Sequence, residues 1–328
     1  MTPVLEVVAG WDLADGVVDG VEPFEVDRHL ADVIEHRLLG VLMAAMRAGD
    51  VHVDQPERVA DAHQQAMAQV LLLEDTMLDA VGVLAAAGIE ARLLKGAAVA
   101  HLLPDPGQRV FGDTDLLVPS DQLGPAAAAL EAAGGVRAQP PVSDDWERRF
   151  AKSITMRWHG GTELDLHRTL APGPYGHLVD LDELAASTAT VAIGGVDVPT
   201  LEPELHLVHA AIHAALGDVE PRLGNLRDIA VLLERSDLDI DRVMRTVVRW
   251  AAEAPFAVGV RAAGAIGARH AVVDWADAHR PRGRDRRLLA SYAERDGRFR
   301  RQTLASLTVV PWSEKPALLR SLTTSRRG

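Results

Sequence analysis

Two aspartates two positions apart, Asp113 and Asp115, stand at the head of the apolar run Leu116-Leu117-Val118. On a strand side chains alternate, so both carboxylates point one way while Thr114 and Leu116 point the other. Two residues of strand advance the chain roughly 6.6 Å. Carboxylates that close repel unless a positive charge lies between them. A hard cation such as Mg²⁺ resolves this, taking one or two carboxylates and completing its shell with phosphate oxygens and water. An isolated D-x-D is common and often merely faces solvent. Here the apolar residues that follow mark a buried strand, and carboxylates at its mouth are costly unless used. Upstream, Lys95 supplies a mobile positive charge. Beyond Gly96, Ala97 onward can start a helix whose N-terminus is an anion site. Arg109 adds a fork suited to phosphate, and Gly112 lets the backbone come close to a ligand.

Two further clusters bear chemistry. In the segment Glu163–His167, the side chains of Glu163, Asp165 and His167 share one face of a strand and Leu164 and Leu166 take the other. By itself this pattern also fits a half-exposed strand with all three solvated. His206, His209 and His213 fall at i, i+3 and i+7 on one helix face. Three histidines so spaced rise too far along the axis for one tetrahedral zinc. They are expected to pack or to line a substrate pocket.

The elements that must position these groups follow from punctuation and period. Residues 1 to about 60 read as short helices broken at Pro23, Gly40, Gly49-Asp50 and Pro56, with His36 and Arg37 expected at the surface. From Pro56 to Ala87 the apolar residues recur at helical spacing, as one long helix or two in sequence, ended by Gly88. Strands are expected at 90–94 and 113–118, with a helix from about 97 to 103 between them. A further helix, capped by Ser120 or Asp121, runs to about Ala133. Residues 136–139 read as an edge strand. A hairpin joins 154–158 to 163–167 through His159-Gly160-Gly161, and a second spans 189–201 around Gly194-Gly195. From Glu202 the pattern is helical. The expected organisation is α+β: an N-terminal helical region (1–87), a small mixed-sheet core (88–201) and a C-terminal helical subdomain (202–328).

At 328 residues the chain can bury a full core. It has no cysteine, so disulfides and thiolate metal sites are excluded, and a cytoplasmic location fits. The first twenty residues carry Glu6, Asp12 and Asp15 without a basic run, unlike a signal peptide, and no apolar run is long enough to span a bilayer. A net charge of −13 disfavours a broad nucleic-acid surface. The exception is Arg280–Arg301, with nine arginines against Asp285, Glu294 and Asp296. Such a run is usually a solvated helix face, and an RNA or protein contact is the sharper reading.

The stretch Leu93-Leu94-Lys95-Gly96-Ala97, with Arg109 and Gly112-Asp113-Thr114-Asp115-Leu116-Leu117-Val118, resembles the uncharacterised nucleotidyltransferase family of the DNA polymerase beta-like superfamily. Gly96-Ala97 stands where superfamily members carry Gly-Gly or Gly-Ser, which removes one hydroxyl contact to phosphate. Asp165-Leu166-His167 matches the family's D-L-H, so the resemblance implies Asp165 as the third carboxylate, with Glu163 the alternative and His167 orienting Asp165, contacting substrate or packing at the site's edge. Arg222-Leu223 and Arg227-Asp228-Ile229-Ala230 match a later family stretch that follows a histidine-containing one, which here holds His209 and His213. The implied activity is transfer of a nucleoside monophosphate from an NTP to an acceptor hydroxyl with Mg²⁺ or Mn²⁺. Asp113, Asp115 and Asp165 would bind metal, while Lys95, Gly96, Ala97, Arg109 and Gly112 would hold the nucleotide. The acidic balance points to a small-molecule acceptor. Two other readings stand beside it: a toxin-like nucleotidyltransferase acting on tRNA or protein, and a non-catalytic nucleotide-binding or regulatory protein of the same fold.

Overall fold

The computed structural model describes residues 3–13, 24–141, 143–217, 220–294 and 296–324, so Asp15, Pro23 and Arg295 lie outside the described residues. Three short helices, α1 (Pro3–Gly10), α2 (Val26–Glu35) and α3 (Leu39–Ala48), lead into α4 (Pro56–Ala86), a single unbroken helix of 31 residues. Pro56 occupies its first turn, where no helical hydrogen bond is lost. The chain leaves it through Gly88, whose φ of 75° lies in the left-handed region open to glycine.

The core sheet contains β1 (Arg92–Leu94), β2 (Thr114–Leu117), β3 (Val136–Arg137), β4 (Ser153–Arg157) and β5 (Glu163–His167), arranged β1-β2-β5-β4-β3. β2 and β5 run parallel, and the other neighbours run antiparallel. Three helices connect these strands: α5 (Lys95–Leu102), α6 (Leu123–Ala132) and α7 (Asp144–Phe150). The expected cap of α6 is corrected: Gln122 holds the N-cap position, and no side chain of Ser120 or Asp121 bonds there. The hairpin between β4 and β5 turns through Gly160 and Gly161 at φ 67° and 81°. After α8 (Leu181–Ala185), the second hairpin pairs β6 (Thr190–Ile193) with β7 (Val196–Pro199).

The remaining described chain is helical: α9 (Pro203–Leu216), α10 (Leu223–Leu233), α11 (Ile240–Arg249), α12 (Glu253–Ala265), α13 (Ala271–Ala278), α14 (Gly283–Ala290), α15 (Arg298–Ser306) and α16 (Lys315–Thr324). The basic segment falls on α14 and α15. Arg282, Arg284, Arg286 and Arg287 are exposed, whereas Arg298 donates to the carbonyls of Gly217 and Tyr292 at 2.7 and 2.8 Å. Among the described residues no helix is long and apolar enough to cross a membrane.

Two large apolar cores position the site. One buries Leu73, Met77 and Leu84 of α4 against Leu93, Leu116, Leu164 and Leu166 of the sheet. Each such leucine contributes roughly 1.5–3 kcal/mol by leaving water. The other joins Leu38 and Leu42, beside and within α3, to Leu205 and Ile212 of α9, Ile229 of α10 and Val260 of α12. The short N-terminal helices therefore pack on the C-terminal ones. The chain between α2 and α3 is carried to α10, where the Leu223 and Gly224 N–H groups donate to His36 Nδ1 and to the His36 carbonyl at 3.3 and 2.9 Å.

Candidate active site

The parallel pairing of β2 with β5 sets Asp115 opposite Asp165 as register partners. The apolar faces of both strands are committed to the core through Leu116, Leu164 and Leu166, so the aspartates must take the other face. Asp115 is only 3% exposed. On the far side of β5, Thr155 pairs in register with Asp165 and donates its hydroxyl to Asp165 Oδ1 at 2.5 Å. His167, two residues along β5, lies with Nε2 2.6 Å from Asp115 Oδ1 and 3.9 Å from Asp165 Oδ2. Its Nδ1 is 3.3 Å from the Thr169 carbonyl oxygen. The Lys95 ammonium donates to the same Asp115 oxygen and lies 3.5 Å from His167 Nε2. Lys95 opens α5 with φ 51°, an uncommon backbone state for a residue with a Cβ.

This donor set fits a divalent cation. One ligand atom each from Asp115, Asp165 and His167 lies within 4.8 Å of the others. Two carboxylates supply the hard oxygens that Mg²⁺ or Mn²⁺ prefers. The imidazole has two acceptors for one proton: Asp115 takes it from Nε2, and the Thr169 carbonyl stands ready to take it from Nδ1, the tautomer whose Nε2 lone pair can ligate.

Burial opposes the charge on Asp115, but Lys95 and His167 hold its carboxyl well below the usual range. Burial likewise opposes the charge on Lys95, and Asp115 keeps that ammonium raised. His167 is pushed down by burial and by Lys95 and Lys152. Burial and the neighbouring Lys95 bring Lys152 down to about 8.

Around this centre lies a cavity of about 220 Å³. Asp113 lines it, one position before β2, with its carboxylate 3.3 Å from Arg37. The expectation that Arg37 lies at the surface is corrected: packing of the α2–α3 junction on α10 turns it into the cavity. Arg109 lines the wall, but its fork is spent on Asp228 at 2.7 and 2.8 Å, on the Val110 carbonyl at 2.6 Å and on Asn225 at 3.3 Å. From α9, His206, His209 and His213 all face the cavity, as pocket lining rather than as a metal set. Burial holds His209 and His213 well below the usual histidine range.

Other candidates sit elsewhere. Glu163 is exposed at the outer end of β5 and does not line the cavity. Ala97 belongs to the apolar core. Gly96 lines the cavity and is also forced by packing, because a Cβ there would meet the Phe111 Cβ at 2.7 Å. Gly112 lies beside Arg37, outside the lining. Lys152 and Asn225 complete the wall without having been anticipated. Lys152 had a signal: the chain has only three lysines, Lys95, Lys152 and Lys315, and its other basic residues are arginines.

A family model described as an uncharacterised nucleotidyltransferase matches residues 22–266. No curated protein matches the chain. Among solved structures, the chain is similar to the antibiotic-resistance factor ANT(2'')-Ia at 17% identity, over 55% of this chain and 89% of that one, with a TM-score of 0.38. It is also similar to an antigenic nucleotidyltransferase-like protein from Paracoccidioides brasiliensis at 18% identity, over 59% and 92% of the two chains, with a TM-score of 0.32.

Proposed function

This chain belongs to the uncharacterised nucleotidyltransferase family, and we propose that it moves a nucleoside monophosphate from an NTP to a hydroxyl of a small molecule. The observation that carries the reading is the register pairing of Asp115 with Asp165 beneath a cavity walled by Lys95, Lys152 and Arg37. Phosphoryl-type transfer needs positioning and charge neutralisation more than covalent help from the protein. Asp113, Asp115 and Asp165 would hold divalent cations, Mg²⁺ or Mn²⁺, which would supply charge neutralisation for the attacking and leaving oxygens.

The acceptor oxygen attacks the α-phosphorus, forming an oxygen–phosphorus bond. The bond from that phosphorus to the α–β bridging oxygen breaks, and its electron pair leaves with pyrophosphate. The hydroxyl proton passes to the carboxylate of Asp165, which Thr155 keeps oriented. Lys95 and the start of α5 hold the β- and γ-phosphates. The net charge of −13 supports a small acceptor rather than a nucleic acid.

Calorimetric titration of the four NTPs with Mg²⁺ or Mn²⁺, on the wild type and on Asp113→Ala/Asp115→Ala, tests this. Metal-dependent binding of an NTP, lost in the variant while the far-UV spectrum is kept, is expected. No binding by the wild type, or binding retained in the variant, overturns the assignment.

A further inference from the structure

We infer that the acceptor is a hydroxylated small molecule bearing an oxyanion, recognised by Arg222, and not a polycation. This rests on the transferase reading and names its second substrate class. Five cationic residues line the cavity, Arg37, Lys95, Arg109, Lys152 and Arg222, against Asp113, Asp115, Asp165 and Asp228. Each of those four carboxylates is already engaged: Asp113 by Arg37, Asp115 by Lys95 and His167, Asp165 by Thr155, and Asp228 by Arg109. Asp113, Asp115 and Asp228 thus already hold a cationic side chain, and Asp165, bonded to a hydroxyl, is the carboxylate this reading gives to the metal, so a cationic acceptor would have to displace an internal partner or the ion to gain one.

The cations are not all engaged. The side chains of Lys152 and Arg222 make no hydrogen bond or ion pair with the described residues, although both line the cavity. The two stand in different places. Lys152 is in the field of Asp113, Asp115 and Asp165, at the reacting centre where the triphosphate must lie. Arg222 acts on Arg37, on the Asp113 side, and heads α10. An unpaired guanidinium half-buried in a cavity is a fork for a carboxylate or phosphate. A second unsatisfied group faces the same space: His209 is 1% exposed, lines the cavity, and its Nε2 has no hydrogen-bond partner among the described residues. Held neutral by burial, that nitrogen suits a hydroxyl rather than a second anion.

Glycerol 3-phosphate, glycerate and kanamycin, a hydroxylated polycation, serve as calorimetric probes. Each is titrated into the full chain saturated with Mg²⁺ and a non-hydrolysable analogue of whichever NTP binds. Glycerol 3-phosphate or glycerate is expected to bind, and the stronger of the two tells phosphate from carboxylate. Arg222→Gln is expected to weaken that binding about tenfold, while the NTP analogue still binds within about twofold, well under the loss of one charge-assisted bond. Binding of kanamycin in preference to both anions overturns the inference. So does an Arg222→Gln variant that loses the nucleotide, or one that leaves anion binding unchanged. Nucleotide binding without any anion binding defeats this inference alone. Absence of nucleotide binding in the wild type defeats the transferase reading as well.

Discussion

Arg109 and Asp228, 119 positions apart in sequence, close on each other in a two-bond fork, with Nε 2.7 Å from Oδ1 and an Nη 2.8 Å from Oδ2. Both residues are at most 7% exposed. The pair ties the loop before β2 to α10 and so fixes the distance between the aspartate centre and the helical wall of the cavity. Removing one partner leaves the other as an uncompensated buried charge, which costs about 3–5 kcal/mol. Asp228→Leu and Arg109→Met should each lower the urea midpoint strongly, and Arg109→Met/Asp228→Leu should lose much less than their sum. Additive losses in that double-mutant cycle would mean that the pair is not coupled.

The hydroxyl of Thr155 orients Asp165 from the neighbouring strand. If Asp165 holds the proposed metal, a group one step behind it in this way is worth roughly 10–100-fold in metal affinity. Thr155→Val is expected to weaken Mn²⁺ binding by about tenfold without altering the thermal midpoint by more than a few degrees. Unchanged Mn²⁺ affinity, read by calorimetry, would mean that the Thr155 hydroxyl does not position Asp165 for a metal ion.

His206 is buried, bonded to the Thr200 hydroxyl at 2.8 Å, and burial pushes it down to about 4. The unfolded chain takes up the proton near the ordinary value of 6.5, so the neutral folded form contributes stability fully above pH 6.5. That contribution is lost as pH falls from 6.5 towards 4, by a total on the order of 3 kcal/mol. His206→Gln should flatten the stability profile across this window. A profile as steep as that of the wild type would assign the acid sensitivity to other groups.

Gly96 has no room for a side chain, since a Cβ would stand 2.7 Å from the Phe111 Cβ. Gly96→Ala should therefore cost about 1–3 kcal/mol. Phe111→Leu should not rescue it, because the clash is with the Cβ that leucine keeps. A neutral Gly96→Ala in thermal denaturation would show that the loop can yield.

Much of the site was legible in the sequence. Alternation along a strand is a local property, so Asp113, Asp115 and the Asp165-Leu166-His167 run could be assigned faces from their neighbours alone. The glycine turn of the second of these strands could be read in the same way. The histidines at i, i+3 and i+7 were also recognisable as one helix face, and all three line the cavity. Composition settled the absence of thiolate ligands.

What only the tertiary structure decided is how these local faces meet. The parallel register that puts Asp115 beside Asp165 spans fifty positions and is fixed by how Leu116, Leu164 and Leu166 fit one core. Arg37 reads as a surface residue because the turn between α2 and α3 has no local reason to be buried; only its packing on α10 brings it to Asp113. Arg109 reads as a free phosphate fork because its partner arrives from a helix more than a hundred residues later. Periodicity reports which side of an element faces inward. Which element it faces is set by long-range packing, and no short window of sequence contains that.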